Sequence, residues 1–183
     1  MVLERCEMTD IWFISDTHFF HDNILKFLDR EQSAFRGQYW QTAEDMNETM
    51  IMNWNALVKP QDKVYHLGDV ACGVKYPNEF VNLMRRLNGH KRLMLGNHDR
   101  IHMDGYRFFE KIELWTGGKF KKDGFVACHI PLRHDQMRGG EVNVHGHIHQ
   151  NSMDDPRYIN VCVEHTDYKP VHMDEIIAKI SRI

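Results

Sequence analysis

The sequence predicts a mixed α/β sandwich, and three observations predict it. Short apolar runs rich in branched and aromatic residues recur along the chain and stop abruptly at polar residues, as buried strands do. Between the early runs lie helical stripes, the alternation expected of a sheet covered by helices. The 183 residues, 42% hydrophobic and 27% charged, suffice for one core without disulfide staples.

In chain order, Ile11-Trp12-Phe13-Ile14 reads as the first strand and leads into Ser15-Asp16-Thr17-His18. A helix follows over 43–58, where Met46, Met50, Trp54 and Leu57 recur at spacings of three and four and Thr42 stands ready to cap. Val64-Tyr65-His66-Leu67 is the second strand, ending at Gly68-Asp69. A second helix over 78–87 carries Phe80, Leu83, Met84 and Leu87 and stops at Asn88-Gly89. Leu93-Met94-Leu95 then leads to Gly96-Asn97-His98-Asp99. Lys119–Lys122, the turn Asp123-Gly124 and Phe125–Cys128 read as a hairpin ending at His129. Val142-Asn143-Val144 leads to His145-Gly146-His147-Ile148-His149, and a last helix over 173–180 carries Ile176, Ile177 and Ile180. No repeat, low-complexity tract or linker divides the chain, so one domain is expected over 1–183.

Composition narrows the classes further. With 23 Lys+Arg against 26 Asp+Glu the net charge is −3, which removes the simplest case for a dedicated nucleic-acid binder. No apolar run approaches the ~20 residues of a membrane span, and Ile11–Ile14 is too short for a secretory leader. Cys6, Cys72, Cys128 and Cys162 are scattered without a paired spacing, so a reduced, cytoplasmic protein is expected. The anomaly is 13 histidines, the commonest metal ligand and the natural acid–base at neutral pH.

Their positions carry the functional signal. Five successive strand ends bear Asp16/His18, Asp69, Asn97/His98/Asp99, His129 and His147/His149. In α/β sheets, loops converge over the carboxyl ends of strands, so these groups are expected to meet. Gly68, Gly96 and Gly146 beside them let the backbone turn sharply and come close to a ligand.

The ordered set Asp16-x-His18, Gly68-Asp69, Gly96-Asn97-His98-Asp99, His129 and Gly146-His147-x-His149 resembles the full motif series of the calcineurin-like metallophosphoesterases. The stretch Asp16–Ile24 is similar to a small bacterial and phage branch of that superfamily. The resemblance implies a sandwich of two mixed β-sheets flanked by helices, with a two-metal site. One cation would be held by Asp16, His18, Asp69 and His149, the other by Asp69, Asn97, His129 and His147. Asp69 would bridge them, one carboxylate oxygen for each. Such a pair would neutralise a phosphate ester and lower the pKa of a shared water from ~15.7 towards ~7, supplying hydroxide as nucleophile. His98 would stabilise charge or protonate the leaving oxygen, with Asp99 orienting its ring. A nitrogen and oxygen shell without thiolate favours manganese, iron, zinc, nickel or cobalt over a Cys-rich structural zinc, and the resemblance puts manganese first among them.

The implied partner is a phosphate-ester substrate, with a nucleotide among the candidates. A nuclease or cyclic-nucleotide phosphodiesterase on the same core is the alternative, and a non-catalytic binding module the rival from another class. A nucleic-acid partner is compatible with the chain but not indicated, and no feature fixes an oligomeric state.

Among residues outside the series, His21 stands three beyond His18, within reach of a bound phosphate. Arg30, Arg36, Arg133 and His134 are further candidates for holding substrate, since guanidinium matches phosphate in a bidentate way. The aromatic 29–41 segment reads either as substrate rim or as packing. His66 and His145 lie in apolar runs and read as satisfied core residues, His90 as a solvated turn. Cys128 reads as a small buried hydrophobe and Lys119–Lys122 as a lysine-protected edge strand.

Overall fold

A computed structural model of the chain describes residues 9–28, 35–100, 103–116 and 118–183. Its strands form two sheets. In the first, β1 (Ile11–Ile14), β2 (Lys63–His66), β3 (His90–Met94) and β4 (Phe109–Glu113) run parallel, in the order β4-β3-β2-β1. The two-residue β8 (Val171–His172) closes that edge antiparallel to β1. In the second, β5 (Phe125–Ala127), β6 (Val142–His145) and β7 (Tyr158–Asn160) are parallel, and an isolated antiparallel bridge joins Trp115 to Cys128 beside β5. The helices are α1 (Ala43–Leu57), α2 (Pro77–Arg86), the single turn α3 (Met103–Tyr106) and α4 (Met173–Ile180). No helix among the described residues is long and apolar enough to cross a membrane.

The side-chain period of two builds the layers. Ile14, Val64 and Leu93 face a core formed with Met46, Met50 and Trp54 of α1 and Phe80, Leu83 and Met84 of α2. Their neighbours Phe13, Tyr65 and Met94 face the second sheet and pack on Phe125, Ala127, Val142 and Val144. Both faces of the central strands are therefore buried, and this is why those strands read as unbroken apolar runs rather than alternating ones. Thr42 caps α1 as expected, its hydroxyl accepting from the Asp45 N–H at 3.1 Å.

The expected hairpin over 119–128 does not form. Lys121–Asp123 coil into a 3-10 turn, and Phe120 is buried between the sheets, stacked on Phe125 at 4.6 Å. Burying that ring outweighs extension of the Lys119–Lys122 segment, and β5 pairs parallel with β6 instead. Lys119 accordingly lies over the Tyr65 ring at 4.5 Å rather than guarding an edge strand. His90 is the first residue of β3 and pairs with Glu110 at 2.8 Å, not a residue of a free turn.

Candidate metal centre

The carboxyl ends of β1, β2, β3, β5 and β6 carry the residues that the motif series singled out, and a parallel bridge between Ser15 and Cys162 ties the two sheets together there. The loops are wound tightly. Asp16 (φ 58°), His18 (48°), Asp69 (57°), His147 (71°) and His149 (50°) all adopt the left-handed region, at a cost of order 1–3 kcal/mol each. Such strain persists only where surrounding bonds over-determine the backbone. Gly96 and Gly146 serve by close approach: a Cβ at Gly96 would collide with the Asp69 carboxylate, and one at Gly146 with Ser15 Oγ and Asp16 Oδ2.

The site divides into two halves around Asp69. In the first, His18 Nε2 lies 3.7 Å from Asp16 Oδ1 and 3.5 Å from Asp69 Oδ2, and His149 Nε2 lies 3.8 Å from Asp16 Oδ1. In the second, His129 Nε2 lies 3.5 Å from Asp69 Oδ2, 2.9 Å from Asn97 Oδ1 and 3.2 Å from His147 Nδ1. Asp69 Oδ2 thus faces both halves, while Oδ1 accepts the His98 N–H at 2.8 Å. Oδ2 is therefore the Asp69 oxygen nearest the ring nitrogens of both halves, while Oδ1 keeps a second lone pair beside the one that accepts the His98 N–H.

Proton accounting tests whether cations fit. His129 Nδ1 must carry hydrogen to donate to the Leu67 carbonyl at 2.8 Å, so its Nε2 offers a lone pair towards Asn97 Oδ1, itself an acceptor. His149 Nδ1 likewise donates to Glu164 Oε1 at 3.1 Å, so that in the neutral ring Nε2 turns its lone pair towards Asp16 Oδ1. Asp16 Oδ1 and both ring nitrogens of His18 are buried without hydrogen-bond partners. Lone pairs that converge without protons repel each other, and a buried polar group left in that state is costly. Adjacent ligands of a cation at ~2.1 Å stand about 3.0–3.4 Å apart, close to the spacings seen here. The residues present fit divalent cations.

Electrostatics agree. Burial alone would raise the Asp16 pKa, but His18, His129, His149 and the Ser15 hydroxyl together hold it well below the usual carboxylate range. Asp16 Oδ2 accepts from Ser15 Oγ at 2.6 Å, the His147 N–H at 2.8 Å and Cys162 Sγ at 3.1 Å, which fixes the carboxylate with Oδ1 inward. Burial lowers the pKa of His18 and of His147, keeping both rings neutral and free to ligate. His149 is raised despite its burial, because Glu164 sits against it.

The seven expected ligands are therefore brought together, and the other candidates divide. His98 is exposed, with its ring centred 5.5 Å from that of His18, beside the cluster. His21 also lies 5.5 Å from His18, and burial pushes its pKa down to about 4, so it meets ligands as a neutral ring. The Asp99 carboxylate accepts from the backbone N–H groups of Gly96 (2.8 Å), Asp69 (2.9 Å) and Val70 (2.8 Å). Its place is to clamp the β2 and β3 loops together, rather than to orient the His98 ring as expected. Arg133 is 80% exposed and pairs with Asp135 at 3.0 Å, not with the cluster, and His134 pairs with Arg157. Arg30 lies outside the described residues. Arg36 is fully buried and holds Glu164 and the carbonyls of Asp16 and Thr17, so it is no substrate contact. His66 is the core residue expected but only half satisfied, its Nε2 2.9 Å from Thr17 Oγ1 and its Nδ1 buried without a hydrogen-bond partner, and burial pushes the Cys128 thiol up to about 11.

Sequence reasoning missed Glu164 and misread Arg36. A signal for Glu164 existed: it is a polar residue ending the apolar run Val161-Cys162-Val163, the same pattern that marked the other sites.

Fold and site together define an α/β sandwich with a cluster of candidate metal ligands at its strand ends. The sequence model of the calcineurin-like phosphoesterase family matches residues 9–179, and the chain belongs to that family. It is 34% identical over 182 residues to the protein MJ1445 of Methanocaldococcus jannaschii, covering 96% of this chain and 93% of that one. It is 26% identical over 171 residues to the gene 66 protein of Mycobacterium phage L5, with 78% of each chain covered. Among solved structures, AQ665 from Aquifex aeolicus, a protein of unknown function, superposes with a TM-score of 0.68 at 26% identity, covering 92% of this chain and 98% of that one.

Proposed function

We propose that this chain is a two-metal phosphoesterase that hydrolyses phosphomonoesters or phosphodiesters. The observation that carries the reading is Asp69 Oδ2, which stands 3.5 Å from His18 Nε2 on one side and 3.5 Å from His129 Nε2 on the other. Asp16, His18 and His149 would hold one cation and Asn97, His129 and His147 the other, with Asp69 shared between them. Bound there, two divalent cations, manganese first among them, supply neutralisation of the anionic ester and acidification of the attacking water.

The chain's own residues do the remainder. Buried and fixed by hydrogen bonds, the Asp16 and Asp69 carboxylates and the His129 ring need no reorganisation as charge develops. The exposed ring of His98, anchored through its backbone N–H on Asp69, stands where it can give a proton to a leaving oxygen. His21, neutral at pH 7, can hydrogen-bond a phosphate oxygen but not attract it by charge. A cleft of about 730 Å³ opens at His147 and His149, lined among others by Lys26, Phe27, Leu28 and Gln150. Phe27 and Leu28 are about half exposed there, giving room for the organic group of an ester. Among the described residues Cys72, Cys128 and Cys162 are free thiols, in keeping with a reducing, cytoplasmic setting.

The test is a substrate panel with and without added Mn²⁺: p-nitrophenyl phosphate, bis-p-nitrophenyl phosphate, cyclic nucleotides and single-stranded DNA. Metal-dependent turnover of at least one ester is expected, and the pattern assigns monoesterase, diesterase or nuclease. Silence on all of them, with metal bound, would replace the enzyme by a binding module.

A further inference from the structure

One oxygen, Glu164 Oε1, accepts from three donors: His149 Nδ1 at 3.1 Å, Arg36 Nε at 2.8 Å and Arg36 Nη2 at 2.5 Å. The pair is deeply buried, with Arg36 0% and Glu164 5% exposed. The same guanidinium donates to the Thr17 carbonyl at 2.9 Å and the Asp16 carbonyl at 2.6 Å. These carbonyls belong to the strained turn that presents Asp16 and His18. A single ion pair therefore grips the turn that carries two ligands and the ring of a third, all in one half of the site.

Among the described residues, no arginine–carboxylate pair stands behind the rings of the other half, although the Asp99 carboxylate clamps its loop. The ring of His129 leans through Nδ1 on a neutral carbonyl, that of Leu67. A carboxylate behind an imidazole fixes its tautomer and strengthens the opposite nitrogen as a ligand more than a neutral carbonyl does. Stability alone is a poor reason for the pair, because apolar residues of the same volume commonly serve as well or better. Nor is Glu164 saturated as a purely structural ion pair would be. Its Oε2 is buried without a partner, and all of its hydrogen bonds run through the oxygen that holds His149.

We infer that Glu164, held in place by Arg36, is a positioning residue that selectively sets the divalent-cation affinity of the Asp16/His18/His149 position. The inference rests on the two-cation reading proposed above. Glu164→Gln keeps an acceptor for His149 Nδ1 and removes the charge. Mn²⁺ binding to the metal-free chain is read by titration calorimetry and by electron paramagnetic resonance, which separates coupled from single ions.

The wild type is expected to take two Mn²⁺. In Glu164→Gln one binding step should weaken by ~10–100-fold, the effect usual for the carboxylate partner of a ligand histidine, with the other step nearly unmoved. The same weakening should appear on a His147→Ala background, which spares the first position, and should largely vanish on a His149→Ala background. A structural role alone would lower the thermal midpoint of the metal-free chain and weaken both steps alike, overturning the inference. Should Glu164→Gln fail to fold, Arg36→Lys keeps the charge but loses the planar fork, and the same one-sided weakening is expected. Unchanged affinities in whichever variant folds would overturn the inference alone. Fewer than two Mn²⁺ in the wild type would overturn the two-cation reading, and this inference with it.

Discussion

The two halves of the metal centre are built on different principles. The Asp16/His18/His149 half is buried and braced by charge, with Asp16 0% and His18 2% exposed and the Arg36–Glu164 pair behind them. The Asn97/His129/His147 half rests its buried His129 ring on the Leu67 carbonyl and its loop on the Asp99 carboxylate, and it opens outward at Asn97 and the neighbouring His98, which are exposed. The difference teaches that a shared carboxylate can join a rigid, desolvated anchor to a more open face. On such a face a substrate can reach both the cations and a proton donor without disturbing the anchor.

The largest expected effect removes what the halves share. Asp69→Ala should abolish binding of the metal pair and, with it, metal-dependent hydrolysis; elemental analysis finding two metals per chain in that variant would break the comparison at its hinge. Next comes the open half. His98→Ala should retain both metals while kcat falls by ~10²–10⁴, the range for a lost general acid. Turnover near that of the wild type would take His98 out of the mechanism and leave the open face without a proton donor.

Acidification should strain the ground beneath the buried half. Burial pushes the His66 pKa from 6.5 down to about 3, and its ring meets Thr17 between Asp16 and His18. The unfolded chain therefore binds more protons than the folded one below pH 6.5. The stabilisation is complete above that pH and is lost progressively as pH falls towards the folded pKa. At pH 4.5 the loss from His66 is roughly 2–3 kcal/mol, with a smaller loss from the part-exposed His21. Urea unfolding of the metal-free chain should show a falling midpoint from pH 7 to pH 4.5; a flat or rising one would contradict the burial argument. The smallest effect belongs to the rim. His21→Ala should raise KM by several-fold and leave kcat nearly unchanged, since a neutral hydrogen bond to phosphate contributes about 0.5–1.5 kcal/mol. Identical kinetics on every ester turned over would remove His21 from the substrate path.

Much of this was legible in the linear chain. Each of the seven ligand candidates directly follows an apolar run or lies within five residues of its end, and the runs are strands β1, β2, β3, β5 and β6. Helices α1 and α4 were readable because a cap and a three-to-four periodicity are local properties. The segment before β5 was misread because Asp123-Gly124 marks a turn without saying what precedes it, and Phe120 found a better place inside the core than along a strand. Asp99 was misread for a related reason. Its distance from His98 along the chain is one residue, but the bonds its carboxylate makes reach to Asp69 and Val70 in another loop.

By itself, then, the amino-acid order determined which side chains stand at strand ends and that they are ligand types, because burial period and chain termination are encoded over a handful of neighbours. Only the tertiary structure decided that Arg36 would meet Glu164, 128 positions away, that Asp69 would turn one oxygen to both halves, and that an ion pair would back the ring of one half and a carbonyl that of the other. Those outcomes depend on how whole layers pack, and a long-range contact leaves no periodic trace in the residues that make it.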